Sequence, residues 1–384
     1  MGWRIPLSDI EIGSGEISAV RKVLESNWLS MGQVTQDFEA AFAAMTGSRH
    51  ALAVTNGTAA LHMACLAVGL GPGDEAIVPS LTFVATANAV RYTGATPVFA
   101  DIAGENDLNL SPAAVERAIT PRTRAIIAVH YGGYACDMPA LLALARGYGL
   151  AVIEDAAHAV GAELDDRKLG TWGDVGCFSF FSNKNLTTGE GGMLITNRAE
   201  MAEKLRLLRS HGMTTLTWDR HKGHAWSYDV VELGYNYRID EIRAALGLVQ
   251  LKKLPQNNDR RRRLTQVYRQ AMQELAPQVS VPFQGHPGVS SAHLLPAVLP
   301  HGVSRIDFME ALKAEGIQTS IHYPPIHTFS AYRDWGTQPP DLPVTDDVAA
   351  REVTLPLYPG LSEEEVVEVC QAVQRALLAE HSRA

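Results

Sequence analysis

From residue 50 to about residue 210 the chain repeats one pattern, a short apolar run followed by an amphipathic stretch of roughly ten residues. HALAV (50–54) reads as a strand and TAALHMACLAVGL (58–70) as a helix. EAIVPS, PVFADI, RAIIAVHY and LAVIEDAA continue as strands, with ATANAVRYTG, SPAAVERAIT and MPALLALARGYG as the helices between them. The strands are unbroken Ile, Val and Ala runs instead of alternations, as expected where both faces of a sheet are covered. Strand and helix in alternation predict an α/β fold with a mostly parallel, doubly wound sheet. Ligands of such sheets sit beyond the carboxyl ends of the strands, so the residues closing each apolar run are the functional candidates.

After residue 210 the composition shifts. The stretch HGMTTLTWDRHKGHAWSYDVVELGYNYR is polar and aromatic and reads as an ordered loop. A helix is expected from Ile239 to about Leu254, with Pro255 as its stop. NNDRRRRLTQVYRQAMQELA then reads as a second helix, and the run Arg260–Arg263 as one turn of solvated helix face. The remainder mixes strand-like SAHLLPAVLP with the helices DFMEALKAEG and SEEEVVEVCQAVQRALLAE, a smaller C-terminal α+β domain. The expected division is 1–250 for the large domain with its N-terminal segment and 251–384 for the small one. A chain of 384 residues, 46% hydrophobic and 20% charged, can build such cores without staples.

Charge and cysteine content narrow the function. A net charge of −9 lacks the basic footprint of a nucleic-acid binder, though it leaves room for a local pocket for a phosphorylated small molecule. The 4 cysteines (Cys65, Cys136, Cys177, Cys370) form no CxxC pair, so they read as buried small hydrophobes and no metal site is expected. MGWRIPLSDIEIG lacks the basic-then-apolar pattern of a signal peptide, and no apolar segment reaches the ~18 residues of a membrane span. A soluble, cytoplasmic protein with no membrane partner is expected.

Three segments carry chemistry. Thr55-Asn56-Gly57-Thr58 lies between a strand and a helix, where unpaired N–H groups and the helix dipole make a phosphate cradle; an ordinary N-cap has the same composition. Val152-Ile153-Glu154-Asp155 is an apolar strand ending in an acid. A carboxylate there wants a cationic partner such as a protonated pyridine nitrogen, unless it caps the following helix. Phe178-Ser179-Phe180-Phe181-Ser182-Asn183-Lys184 precedes a Gly-rich turn. An amine brought to the strand ends and partly desolvated becomes nucleophilic, whereas a lone lysine is more often a surface side chain.

The order NGT, PSxTFxATxNA, EDAAHA, FSFxxxKxxxxGEGG, GYNYR, HYPPIH resembles the DegT/StrS-type sugar aminotransferases, pyridoxal-phosphate (PLP) enzymes of the aspartate-aminotransferase fold. The resemblance runs from IPLSDIEIG to LPLYPGLS. It implies that Lys184 forms the Schiff base with PLP, that Asp155 keeps the pyridine nitrogen protonated, and that His158 lies near the ring's phenolic oxygen. It further implies that Phe83 stacks on the ring and that Gly57, Thr58 and Ser179 hold the phosphate. Asn236 would reach the phosphate of a neighbouring subunit, so that a homodimer shares its active sites.

The implied reaction moves an amino group from L-glutamate to a nucleotide-linked keto sugar, with Lys184 also shuttling a proton. Relatives that are sugar dehydratases carry histidine where Lys184 stands, which favours transamination here. Trp28, His322, Tyr323 and His327 match segments near the family's substrate, and Arg220, Lys222 and His224 have the charge for a pyrophosphate. EDAAHA and His130-Tyr131-Gly132-Gly133 lean towards amination at C4 of a 4-keto hexose; C3 amination and inosose amination stay open. A non-catalytic PLP-binding sensor on the same fold is the alternative of another class.

Overall fold

In the computed structural model, which describes residues 2–215, 227–333 and 341–381, the repeating region forms a seven-stranded sheet. Its strands are β1 (His50–Val54), β2 (Glu75–Pro79), β3 (Thr96–Ala100), β4 (Thr123–Val129), β5 (Ala151–Asp155), β6 (Val175–Ser179) and β7 (Gly192–Thr196). They lie in the order β1-β7-β6-β5-β4-β2-β3. The pairs from β6 across to β3 are parallel, and β7 runs antiparallel to both β6 and β1. Val129 and Cys177 flank Asp155 in register, which brings the carboxyl ends of three strands level.

Short polar side chains start the crossover helices. Asn56 Oδ1 accepts the Ala59 N–H at 2.8 Å to open the helix Gly57–Ala67. Asp137 does the same for Met138–Tyr148, which Gly149 closes in the left-handed region at φ +68. Each face of the sheet is buried. One side packs Phe38, Phe42, Phe178 and Phe180, with Phe42 and Phe178 edge-to-face at 5.0 Å between centroids. The other packs Leu61, Met63, Cys65, Ile127 and Leu205. All four cysteines are free and buried.

Two expectations for the following region are corrected. Pro255 does not stop a helix: Glu241–Leu275 is a single helix of 35 residues with Pro255 inside it. A mid-helix proline costs about 3 kcal/mol. Packing on both sides outweighs that cost, because Ala244, Leu251 and Leu254 enter the first core while Leu264, Tyr268 and Met272 enter a C-terminal one. The helix therefore runs across residues 250 and 251. Its start is tied to the N-terminal segment, since the Glu241 carboxylate accepts the N–H groups of Gly32, Val34 and Thr35 at 2.8–2.9 Å.

Nor is the arginine run a solvated face. Arg261 is 3% exposed and donates to the carbonyls of Leu357 (2.7 Å) and His293 (3.4 Å). Arg260 and Arg263 pair with Glu363, and Arg262 pairs with Asp259. These contacts join the long helix to the C-terminal segments, which composition alone does not reveal.

The C-terminal region has the expected α+β character. Strands β8 (Leu295–Val298) and β9 (Glu352–Leu355) pair antiparallel, with the helices Arg305–Ala314 and Glu363–His381 packed around them. The described parts of the 211–238 stretch carry only isolated bridges, such as Met213 with Val230. Among the described residues no helix is long and apolar enough to cross a membrane.

Candidate active site

A cavity of about 440 Å³ opens at the carboxyl ends of the central strands, and Val129, Asp155 and Ser179 at those ends line it. Gly57 and Thr58, at the first turn of their helix, enter from one side, where a Cβ on Gly57 would lie 2.8 Å from the Ser179 Cβ. That close approach is what glycine permits. Phe83 is 56% exposed, and its ring forms cavity wall 5.9 Å from the Tyr323 ring.

Lys184 reaches the cavity because the chain turns tightly between β6 and β7. The Lys184 N–H donates to Phe181 O at 2.9 Å, and the Thr188 N–H to Phe180 O at 2.9 Å. Gly192 lets β7 pass the first turn of the Gly57 helix, where a Cβ would sit 2.6 Å from Asn56 O. Burial lowers the Lys184 amine to about 8, against the opposing pull of the Asp155 carboxylate.

Asp155 is 5% exposed and accepts hydrogen bonds from Thr86 Oγ1 (2.7 Å) and the Ala157 N–H (3.2 Å). Burial raises its pKa despite those donors and the nearby Lys184 and His130. Among the described residues no ion pair joins Asp155, although a buried carboxylate calls for a cation. A protonated ring nitrogen would meet that need. An amine of lowered pKa, an aromatic wall and a helix N-terminus with two hydroxyls complete a donor set that fits pyridoxal phosphate.

His158 accepts the Gly132 N–H on Nδ1 (3.3 Å) and meets the Tyr323 hydroxyl through Nε2 (3.1 Å). With Nδ1 used as an acceptor, the neutral ring carries its proton on Nε2. Burial and the Lys184 charge hold its pKa well below the usual range. His322 also lines the cavity; its Nδ1 lies 2.9 Å from Thr354 Oγ1, and burial beside Lys184 pushes its pKa down to about 4.

The remaining candidates lie elsewhere. Trp28 is half-buried and sits against Gly32, outside the cavity lining. His327 turns its two nitrogens to Ser80 Oγ (2.7 Å) and Asp346 (3.2 Å). Asn236 is exposed and bridges Ser210. Arg220, Lys222 and His224 fall outside the described residues. His130 forms a fully buried pair with Glu154 at 3.0 Å and does not line the cavity. Sequence reasoning missed Thr86, which holds Asp155, and His293, whose Nε2 lies 3.4 Å from Lys184 Nζ. Thr86 stands within the ATxNA motif, so its signal was present; His293 was hidden in a strand-like apolar run.

For a chain with this sheet and this cavity, the comparisons with known proteins identify a pyridoxal-phosphate-dependent aminotransferase acting on sugars. The chain belongs to the DegT/DnrJ/EryC1/StrS aminotransferase family, whose sequence pattern matches residues 11–374. It is 45% identical over 376 residues to the spore coat polysaccharide biosynthesis protein SpsC of Bacillus subtilis, covering 96% of each chain. Among solved structures, the sugar aminotransferase Spr1654 of Streptococcus pneumoniae in its PMP form superposes with a TM-score of 0.90 at 28% identity, over 98% of this chain and 100% of that one. DesI, solved in the presence of its TDP-sugar product, superposes with a TM-score of 0.87 at 33% identity, over 100% and 96% of the two chains.

Proposed function

We propose that the protein transfers an amino group from L-glutamate to a nucleotide-linked 4-keto-6-deoxyhexose, giving an amino sugar and 2-oxoglutarate. The observation that carries this proposal is one cavity lined by Lys184, Asp155 and His158, with Tyr323 and His322 entering from the C-terminal region. Similarity to DesI, solved in the presence of its TDP-sugar product, supports a nucleotide-linked substrate. We assign residues 1–250 and 251–384 to a large and a small domain, and place the enzyme in the cytoplasm as a homodimer. In it the exposed Asn236 would serve the neighbouring subunit's cofactor, and Trp28, His327, Arg220 and Lys222 remain candidates for the substrate side.

Pyridoxal phosphate supplies an electron sink for the bonding electrons released at the substrate carbon. The protein does the rest. Asp155 would keep the ring nitrogen protonated, Phe83 would cover a ring face and exclude water, and Gly57, Thr58 and Ser179 would cradle the phosphate. His158 donates from Nε2, a neutral donor suited to an oxygen at the cavity wall. An amine with a pKa near 8 lets Lys184 both bond an aldehyde carbon and carry a proton between neighbouring carbons at neutral pH.

Gly57→Val should weaken cofactor binding about ten- to a hundredfold in a spectroscopic titration, because its branched side chain would press on Ser179 beside the phosphate cradle. Unchanged affinity would remove Gly57 from the site. For the substrate, the enzyme and glutamate are incubated with a panel of nucleotide keto sugars, and products are identified by mass and NMR. Amination at C4 of a 4-keto-6-deoxyhexose is expected; a product aminated only at C3, or only from an inosose, would overturn the assignment.

A further inference from the structure

A buried chain of side-chain hydrogen bonds ends at Lys184, and main-chain carbonyls fix its polarity. Asn258 Nδ2 donates to Val160 O at 2.9 Å, so its Oδ1 is the acceptor that meets Asn185 Nδ2 at 2.8 Å. Asn185 Nδ2 also donates to Ser291 O at 2.8 Å. Both hydrogens of that amide are thereby committed, and Asn185 Oδ1 lies 2.9 Å from His293 Nδ1. An amide oxygen cannot donate, so the proton of His293 sits on Nδ1. Its Nε2 is left as a bare lone pair 3.4 Å from Lys184 Nζ. Asn258, Asn185 and His293 are 3%, 7% and 5% exposed, which leaves water little room to compete.

We propose that His293 is a positioning residue: its Nε2, oriented by the Asn258–Asn185 relay, accepts an N–H of the free Lys184 amine and holds that nitrogen in place in the cavity. The adjacent His158, 4.5 Å away between ring centroids, has the opposite tautomer and cannot substitute, because its Nδ1 faces Gly132 and its Nε2 faces Tyr323. Burial, and then the charges of Lys184 and Arg261, hold the His293 pKa well below the usual range, so the ring stays neutral and its Nε2 an acceptor. The groups acting on Lys184 itself are Asp155, which favours its ammonium form, and the histidines 158, 293 and 322 around it.

An acceptor stabilises an ammonium more than a neutral amine, so its loss should lower the Lys184 pKa further. The test is acetylation of Lys184 by acetic anhydride in the full-length, cofactor-stripped protein, followed against pH by peptide mass spectrometry. His293→Leu should move the midpoint down by about one pH unit, and His293→Gln, whose side-chain oxygen can accept, should restore most of it. In the loaded enzyme, His293→Leu should lower kcat about tenfold or more with the sugar KM unchanged. An unmoved midpoint, or a Gln variant no better than Leu, would overturn the proposal. Should His293→Leu fail to fold, His293→Phe provides a second reading: it keeps a ring in the site without an acceptor and should lower the midpoint in the same way. The consequence for turnover rests on Lys184 being the reacting amine. The labelling midpoint does not, so a normal midpoint shift in an enzyme that binds cofactor without Lys184 would sink that assignment alone.

Discussion

Lys184→Ala is expected to abolish turnover, a loss of about 10⁴-fold or more, while the circular dichroism of the folded protein is unchanged. The size of the effect follows from the two tasks proposed for one side chain, the covalent hold on the cofactor and the movement of a proton. The substituted protein should also lose the visible absorbance of lysine-bound cofactor and show that of the free aldehyde. Folding should survive, because Lys184 sits on a turn held by main-chain bonds of Phe180 and Phe181, and none of these involves its side chain. Turnover retained by the alanine variant would refute the assignment.

Asp155→Asn should cost activity about 10²- to 10⁴-fold, the equivalent of the roughly 3–5 kcal/mol lost when one partner of a buried pair is removed. The amide keeps the shape and can still accept from Thr86, while its NH2 then faces the Ala157 N–H, so the charge and that one weak 3.2 Å bond are what the variant loses. The same substitution should act in the opposite direction on the cofactor-free protein. Burial raises the Asp155 pKa in the folded state, so ionisation opposes folding there. That protein therefore loses stability as pH rises through the folded pKa, and Asp155→Asn escapes the loss. A higher Tm for the cofactor-free variant at neutral pH, together with low turnover, is the expected pair of results. A variant with full activity would dismiss the ring-nitrogen role; a lower Tm without cofactor would dismiss the electrostatic account.

Much of this was legible because the sheet repeats a local signal. Each strand of the large sheet is an apolar run with its own boundary residues, and Asp155 and Ser179 stand at the ends of such runs. The site residues carried by those ends could be found one motif at a time. Pro255 misled because local chemistry forbids what two cores on one helix enforce, and Arg261 misled because burial is decided by segments far along the chain. His293 is 109 residues from the lysine it meets, in a stretch whose own pattern is only apolar. The tautomer that gives it meaning depends on Asn185 and Asn258, two positions whose relation to His293 exists only in three dimensions.

The long helix has a mechanical corollary. Its first half is clamped among the residues that carry Lys184 and Asp155, and its second half among those that carry His322 and Tyr323, so one rod sets the spacing between the two walls of the pocket. Only at Pro255 does that rod lack a backbone donor, which makes this the place where bending is cheapest. Loosening either end would therefore register first as misaligned chemistry, well before the molecule came apart.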